Sequence, residues 1–259
     1  MMPSQATLCA RYTGLELKRT LADKRILVLA VLVPMFMYFV IAGTNDQEAM
    51  NSNVGHGTVK FLIATSMALY GTVTVAGAQC ANIAAERDSG WLRTLSLSPM
   101  STGSYLLSKA LVAVVLSLVP VAAVCLLAAA TGAKAEWIVW PLAFLLSLTG
   151  AVVFGLIGLI LGMLFDPGMI NRVIGFITVI FSFLGNLFIP LSGTMLTVAK
   201  FTPLFGPGML VRYPAATEGR VIAGAGTLPL WQPVLNVVVY TVIFAVIARL
   251  IVRRGLARQ

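Results

Sequence analysis

Six long apolar runs, each bounded by charges or by Gly and Pro, decide what this chain can fold into. They are Ile26–Gly43, Val59–Ala85, Tyr105–Thr131, Trp137–Phe165, Val173–Pro190 and Gln232–Val252. A bilayer's hydrocarbon core, roughly 30 Å thick, takes about 20 apolar residues in helix, and each run is close to that length or longer. Composition agrees, because 59% hydrophobic against 10% charged residues, with a mean hydropathy of +0.94, lies far outside the soluble globular range. The expected fold is an all-α integral membrane protein with six transmembrane helices. Residues 1–259 form one domain, with 1–25 ahead of the first span, spans 1 to 5 within 26–190, an outer segment at 191–231, and the last span with a short tail at 232–259. The connections leave no room for a soluble domain.

Met1–Arg25 is too long and too mixed for a cleavable signal, and the apolar run behind it lacks a small-residue cleavage pattern, so the first span is read as retained. Positive charge is held on the cytoplasmic side of a membrane. With both termini inside, only Lys60, Lys134, Lys200, Arg212 and Arg220 of the 18 Lys and Arg residues fall outside. The net charge of +9 is therefore mainly a topology signal, and no basic soluble surface remains for a nucleic-acid partner. Cys9, Cys80 and Cys125 include no CxxC pair and read as small buried hydrophobes.

Within this plan, Gln5–Lys24 places Leu8, Tyr12 and Leu15 at helical spacing beside Arg11 and Lys18. That suits either a helix lying in the cytoplasmic interface or a basic flank that happens to be helical. Ala151, Gly155, Gly158 and Gly162 form a small-residue stripe on the fourth span, where a neighbouring helix can approach closely. Pro34 and Pro120 fall inside spans and predict bends. Phe188–Trp231 is apolar in patches yet dense in Pro and Gly, and irregular chain cannot cross lipid. It predicts short re-entrant helices at Met195–Phe201 and Phe205–Tyr213, followed by an exposed loop.

Most chemistry is excluded. His56, the one histidine, sits between two glycines without a second imidazole or nearby Cys, so no metal site and no catalytic set is expected. No GxxxxGK[ST] loop is present to cradle nucleotide phosphates, and no bound cofactor is expected. All nine acids fall in loops or at span ends, which leaves no mid-membrane carboxylate for ion coupling. The milder polar residues inside spans include Thr72 and Gln79 in the second and Ser182 and Asn186 in the fifth. These four are the candidates for a substrate path, and interhelical hydrogen bonding is the alternative reading of each.

The polar block Ala84–Ser101, "AAERDSGWLRTLSLSPMS", is the longest interruption between spans in the first half of the chain. Glu86, Arg87 and Asp88 carry the second span out of the membrane, Gly90 permits a bend, and Pro99 closes the stretch. Trp91, Leu92 and Leu95 share one face of a short helix. That face either fits a protein groove or rests on lipid headgroups.

This block resembles the pattern E-R-(E/D)-x-G-x-L-x-x-L-x-x-(S/T)-P of the ABC-2 type transporter permeases, carried by Glu86, Arg87, Asp88, Gly90, Leu92, Leu95, Ser98 and Pro99. The interfacial N-terminal helix, the six spans and the proline-containing outer segment are similar to that family too. The resemblance implies that Gly90–Leu97 is a coupling helix seated on a separate cytoplasmic ATPase. Glu86, Arg87, Asp88, Gly90, Trp91, Leu92, Arg93 and Leu95 would be the coupling residues. It further implies two permease copies with two ATPases, the latter binding ATP and Mg, in a bacterial inner membrane with both termini cytoplasmic. The implied function is efflux of a hydrophobic or amphipathic small molecule such as a drug, antibiotic or lipid, with antibiotic resistance as one outcome. A polysaccharide or glycolipid exporter, an ion-coupled secondary transporter and a passive assembly subunit are the alternatives.

Overall fold

The computed structural model of the chain describes residues 5–22, 24–91, 94, 100–189, 191–216, 220–223 and 226–257. Eleven α-helices are ordered along the described residues. They are α1 (Gln5–Ala22), α2 (Lys24–Thr44), α3 (Gln47–Asn51), α4 (Val59–Ala81), α5 (Ile83–Asp88), α6 (Thr102–Ala130), α7 (Val139–Leu164), α8 (Pro167–Leu184), α9 (Gly193–Ala199), α10 (Phe205–Leu210) and α11 (Trp231–Ala257). Two small antiparallel hairpins, β1–β2 (Asn53–Val54 with Gly57–Thr58) and β3–β4 (Arg220–Ala223 with Gly226–Pro229), are the only paired strands among them.

Five stretches are long and apolar enough to cross a membrane: Val59–Asp88, Gly103–Ala130, Val139–Leu164, Pro167–Leu184 and Trp231–Ile251. The first expected span is α2, a helix of 21 residues in which Ala30–Thr44 is an apolar stretch. The chain is thus an all-α integral membrane protein. Its helices differ from the apolar runs mainly at their ends. α8 begins six residues before Val173 because Asp166 and Pro167 start a helix well, proline's fixed φ suiting the first turn. It stops at Leu184, short of Pro190. The second run divides at Asn82 into α4 and the short α5.

α4 is the centre of the bundle, buried over most of its length from Lys60 to Ala81 and packed against α6, α7, α2 and α8. Small residues make this possible. A methyl group on Gly158 of α7 would lie 2.1 Å from the Gly77 carbonyl oxygen, and one on Gly162 would lie 2.6 Å from that of Ala81. The stripe on the fourth span is therefore the close contact between α7 and α4. Pro34 and Pro120 lie inside α2 and α6, and both rings pack on Gly71 of α4, where no side chain would fit. Dispersion across such close surfaces is what holds helices together where lipid is as apolar as the side chains.

α1 covers the beginning of α6, with Cys9 Sγ 3.2 Å from Ser108 Oγ and Gln5 Oε1 accepting from the Ser101 N–H at 3.0 Å. This end of the bundle is the proximal face, and the opposite end is the distal face. There the chain segments before α4, between α6 and α7, and after α10 are joined. The Thr58 N–H donates to the Lys134 carbonyl at 2.8 Å, the Glu136 N–H to the His56 carbonyl at 3.0 Å, and the His56 N–H to the Ala215 carbonyl at 2.9 Å. His56, expected as a plain loop residue, also pairs with Glu136 at 2.6 Å.

The proline-rich segment folds close to its expected pieces, as α9, α10 and a 3-10 turn at Tyr213–Ala215. All six residues of α10, including Gly206, Pro207 and Gly208, are buried. Asn236 of α11 accepts from the Gly206 N–H at 3.1 Å and donates to the carbonyls of Lys200 and Thr202, so irregular backbone is satisfied inside protein. Arg212 reaches Ser66 Oγ of α4 at 2.8 Å and the carbonyls of Asn186 and Leu187 at 2.9 and 3.2 Å. Burial pushes its guanidinium down to about 10, which leaves it charged at neutral pH.

Candidate functional site

The polar block after the second span leaves the bundle at the proximal face through α5, and its first charged residues turn inward. Lys109, in the second turn of α6 and only 1% exposed at its side chain, donates to two carboxylates. One is Glu86 of α5, at 2.5 Å, and the other is Glu16 of α1. Their side chains are 16% and 10% exposed. Glu86 also accepts a hydrogen bond from the Tyr105 hydroxyl, while Glu16 accepts from the Gln79 amide at 3.2 Å. Tyr12 meets Tyr105 edge to face at 5.9 Å between ring centres. Four helices, α1, α4, α5 and α6, thus converge on one buried ammonium.

An ammonium in this position is tolerable only because it is paired, since an isolated buried charge costs far more than its hydrogen bonds return. The pairing ties the start of the polar block to the N-terminal helix. Arg87 makes the second tie. Its guanidinium donates to the carbonyls of Met163 and Phe165, the latter at 3.1 Å, and so caps the C-terminal end of α7. Its contact with Asp166 at 3.7 Å is solvent-exposed on the acid's side and adds little. α5 is then capped by Ser89, and Gly90 adopts φ +73°, a conformation with little strain only for glycine.

Beyond that bend the Thr94 N–H donates to the Gly90 carbonyl at 3.3 Å, which is one helical turn. Trp91 opens the turn, 43% exposed, close to the Tyr12 side chain. Burial, and then the Glu86 charge, push the Tyr12 hydroxyl up to about 12. Leu92, Arg93 and Leu95, with the rest of 95–99, lie outside the described residues. A polar cavity of about 510 Å³ opens beside the cluster, lined by Glu16, Gln79, Asn82, Glu86, Trp91 and Lys109 among others.

Of the residues proposed for coupling, Glu86 and Arg87 are therefore anchors facing the bundle, and Gly90 and Trp91 form the bend. Asp88 ends α5 and is exposed. Of the four path candidates, only Gln79 reaches the proximal cavity. Thr72, Ser182 and Asn186 are fully buried between helices. Ser182 donates to the Thr178 carbonyl, and Asn186 accepts from the Leu191 N–H at 2.7 Å while holding φ 63°. The Thr72 hydroxyl and the Asn186 amide nitrogen have no protein partner among the described residues.

The participation of Glu16 and Lys109 is not apparent from the motif. The signal that points to it is a lysine five residues inside an apolar run, a placement that demands a partner. Among the described residues no group of three or more His, Cys, Asp or Glu side chains is placed to hold a metal ion. No curated protein matches the chain. A model of the family described as ABC-2 family transporter protein matches residues 37–252, a stretch that takes in α4 through most of α11 and the Glu86–Arg87 anchor. With more than four-fifths of its length matched, the chain belongs to this family, the membrane permeases of ABC transporters.

Proposed function

We propose that this permease is the transmembrane subunit of an exporter. It moves a hydrophobic or amphipathic small molecule out of the cytoplasm or inner leaflet, with two copies working with two copies of a separate ATPase. The family as a whole associates with ABC ATPases. On this reading the proximal face is cytoplasmic, and the turn beginning at Gly90 is the start of the coupling helix. ATP and Mg bind to the ATPase, and this chain contributes no catalytic group. The mainly apolar spans suit an amphipathic cargo. Gln79 meets the cargo at the cytoplasmic entrance, with Thr72, Ser182 and Asn186 deeper along the path.

The observation that carries the proposal is the double anchorage of the block's root. Lys109 joins Glu86 to Glu16, and Arg87 caps α7. A force applied at Trp91–Leu95 therefore reaches α1, α4, α6 and α7 together rather than being lost in a loose loop. Closure of the ATPase pair then favours one permease conformation by its differential binding energy, which is what coupling means physically.

The test is copurification. Leu95→Asp puts an unpaired carboxylate into an apolar contact, a cost of several kcal/mol, and each ~1.4 kcal/mol is tenfold in association. ATPase recovery should fall at least tenfold while size exclusion shows the permease intact. Recovery and transport equal to wild type would remove Trp91–Leu95 from the coupling role.

A further inference from the structure

At the distal face, far from the Lys109 cluster, a second lysine is buried without an acid. Lys60, 6% exposed, lies in the first turn of α4. Its ammonium donates to the Gln47 side-chain oxygen at 3.3 Å and to the Thr131 carbonyl at 3.2 Å, both neutral acceptors at long range. No ion pair among the described residues includes Lys60 or Lys134. Both lysines line one polar cavity of about 600 Å³, with Gln47, Asn51, Asn53 and Thr58 among the other walls.

The local dipoles do not supply the missing negative charge. Thr131 caps the C-terminal end of α6, which presents about half a negative charge to Lys60. Lys60 is itself at the N-terminal end of α4, which presents about half a positive charge. The two cancel to first order, leaving the full ammonium with Lys134 beside it. A charge withdrawn from water in this way calls for a counter-charge.

Lys60 also lines a second cavity of about 290 Å³ with Tyr38, Phe39, Ala42, Gly43, Gln47 and Thr131. That wall is largely apolar, and Phe39 is 61% exposed on the flank of α2. The ammonium thus stands between a polar chamber and an apolar one at the end of membrane-crossing helices.

From this arrangement we propose that the distal pocket binds a phosphate group, with Lys60 and Lys134 as its cationic ligands. Gln47, Asn51 and Asn53 supply amide donors. The phosphate can come from a phospholipid headgroup, whose glycerol and chain ends would follow the Tyr38–Phe39 side, or from the free anion. The site belongs to the distal face whichever leaflet that face meets.

Thermal unfolding of the full chain in detergent, followed by tryptophan fluorescence, separates these sources. Short-chain phosphatidylglycerol and inorganic phosphate are titrated separately, with phosphate-free diacylglycerol of the same chain length and chloride at equal ionic strength as the respective control. Stabilisation of wild type by either anion beyond its control is expected, and the effective arm names the source. A charge-assisted hydrogen bond contributes enough that Lys60→Gln should raise the half-maximal concentration roughly tenfold. Lys134→Gln should raise it severalfold, and Lys60→Arg should keep the response. Lys134→Gln is at an exposed position, so it tests the site even where Lys60→Gln fails to fold. No stabilisation of wild type by either anion, or a Lys134→Gln response equal to wild type, overturns the proposal.

Discussion

Removing the Lys109 ammonium while keeping the side chain's bulk is the sharpest perturbation of the proximal cluster. Lys109→Met leaves Glu16 and Glu86 facing each other, at 10% and 16% exposure, with no cation between them. Breaking a buried pair by deleting one partner costs about 3–5 kcal/mol, because a desolvated charge is left uncompensated. The adjacent cavity of about 510 Å³ can admit water to both carboxylates, which favours the lower end. A loss of about 3 kcal/mol corresponds to a fall of roughly 6–12 °C in Tm for a chain of this size. Thermal unfolding of the purified, monodisperse protein measures it. The triple variant Glu16→Gln, Glu86→Gln, Lys109→Met removes all three charges together and should recover more than half of the loss. A single-variant loss below about 1 kcal/mol, or a triple variant no more stable than the single one, would refute the view that uncompensated charge dominates at this site.

Two further outcomes follow from packing and from titration. Gly158→Ala sets a methyl 2.1 Å from the Gly77 carbonyl oxygen and should cost about 1–3 kcal/mol in unfolding assays. Gly175→Ala in α8 meets nothing within 4 Å and should be neutral or stabilising by up to ~1 kcal/mol, so equal responses would contradict the close α4–α7 contact. Tyr12 remains protonated in the fold up to about pH 12, whereas an unfolded tyrosine ionises from about pH 10. The unfolded state therefore releases its proton first, and stability falls as pH rises from 10 towards 12. Tyr12→Phe should make that decline shallower, and an unchanged slope would show that Tyr12 is not buried against Glu86.

By itself the sequence determines the membrane class, the α-helical architecture, the small-residue stripe and the site of the charged break after the second span. Each is a local matter. An apolar run of about 20 residues must be helical in lipid, and a Gly-x-x-Gly stripe occupies one helix face whatever it meets. The helix starts are less legible, as at Asp166–Pro167, because capping shifts an end without changing the apolar run. What only the tertiary structure decides is partnership. Glu86 and Arg87 read in sequence as a polar exit from the membrane, yet both point inward. Their partners, Lys109 of α6 and the carbonyls of Met163 and Phe165 at the end of α7, come from other helices, and Lys109 in turn holds Glu16 of α1. Lys60 likewise reads as one more flanking cation until α4, the end of α6 and Gln47 of α3 enclose it with neutral acceptors alone. Pairing depends on how helices far apart in the chain are placed side by side. Periodicity along one helix carries no information about that placement, because the energy of a buried charge is set by whatever lies within a few ångströms in space.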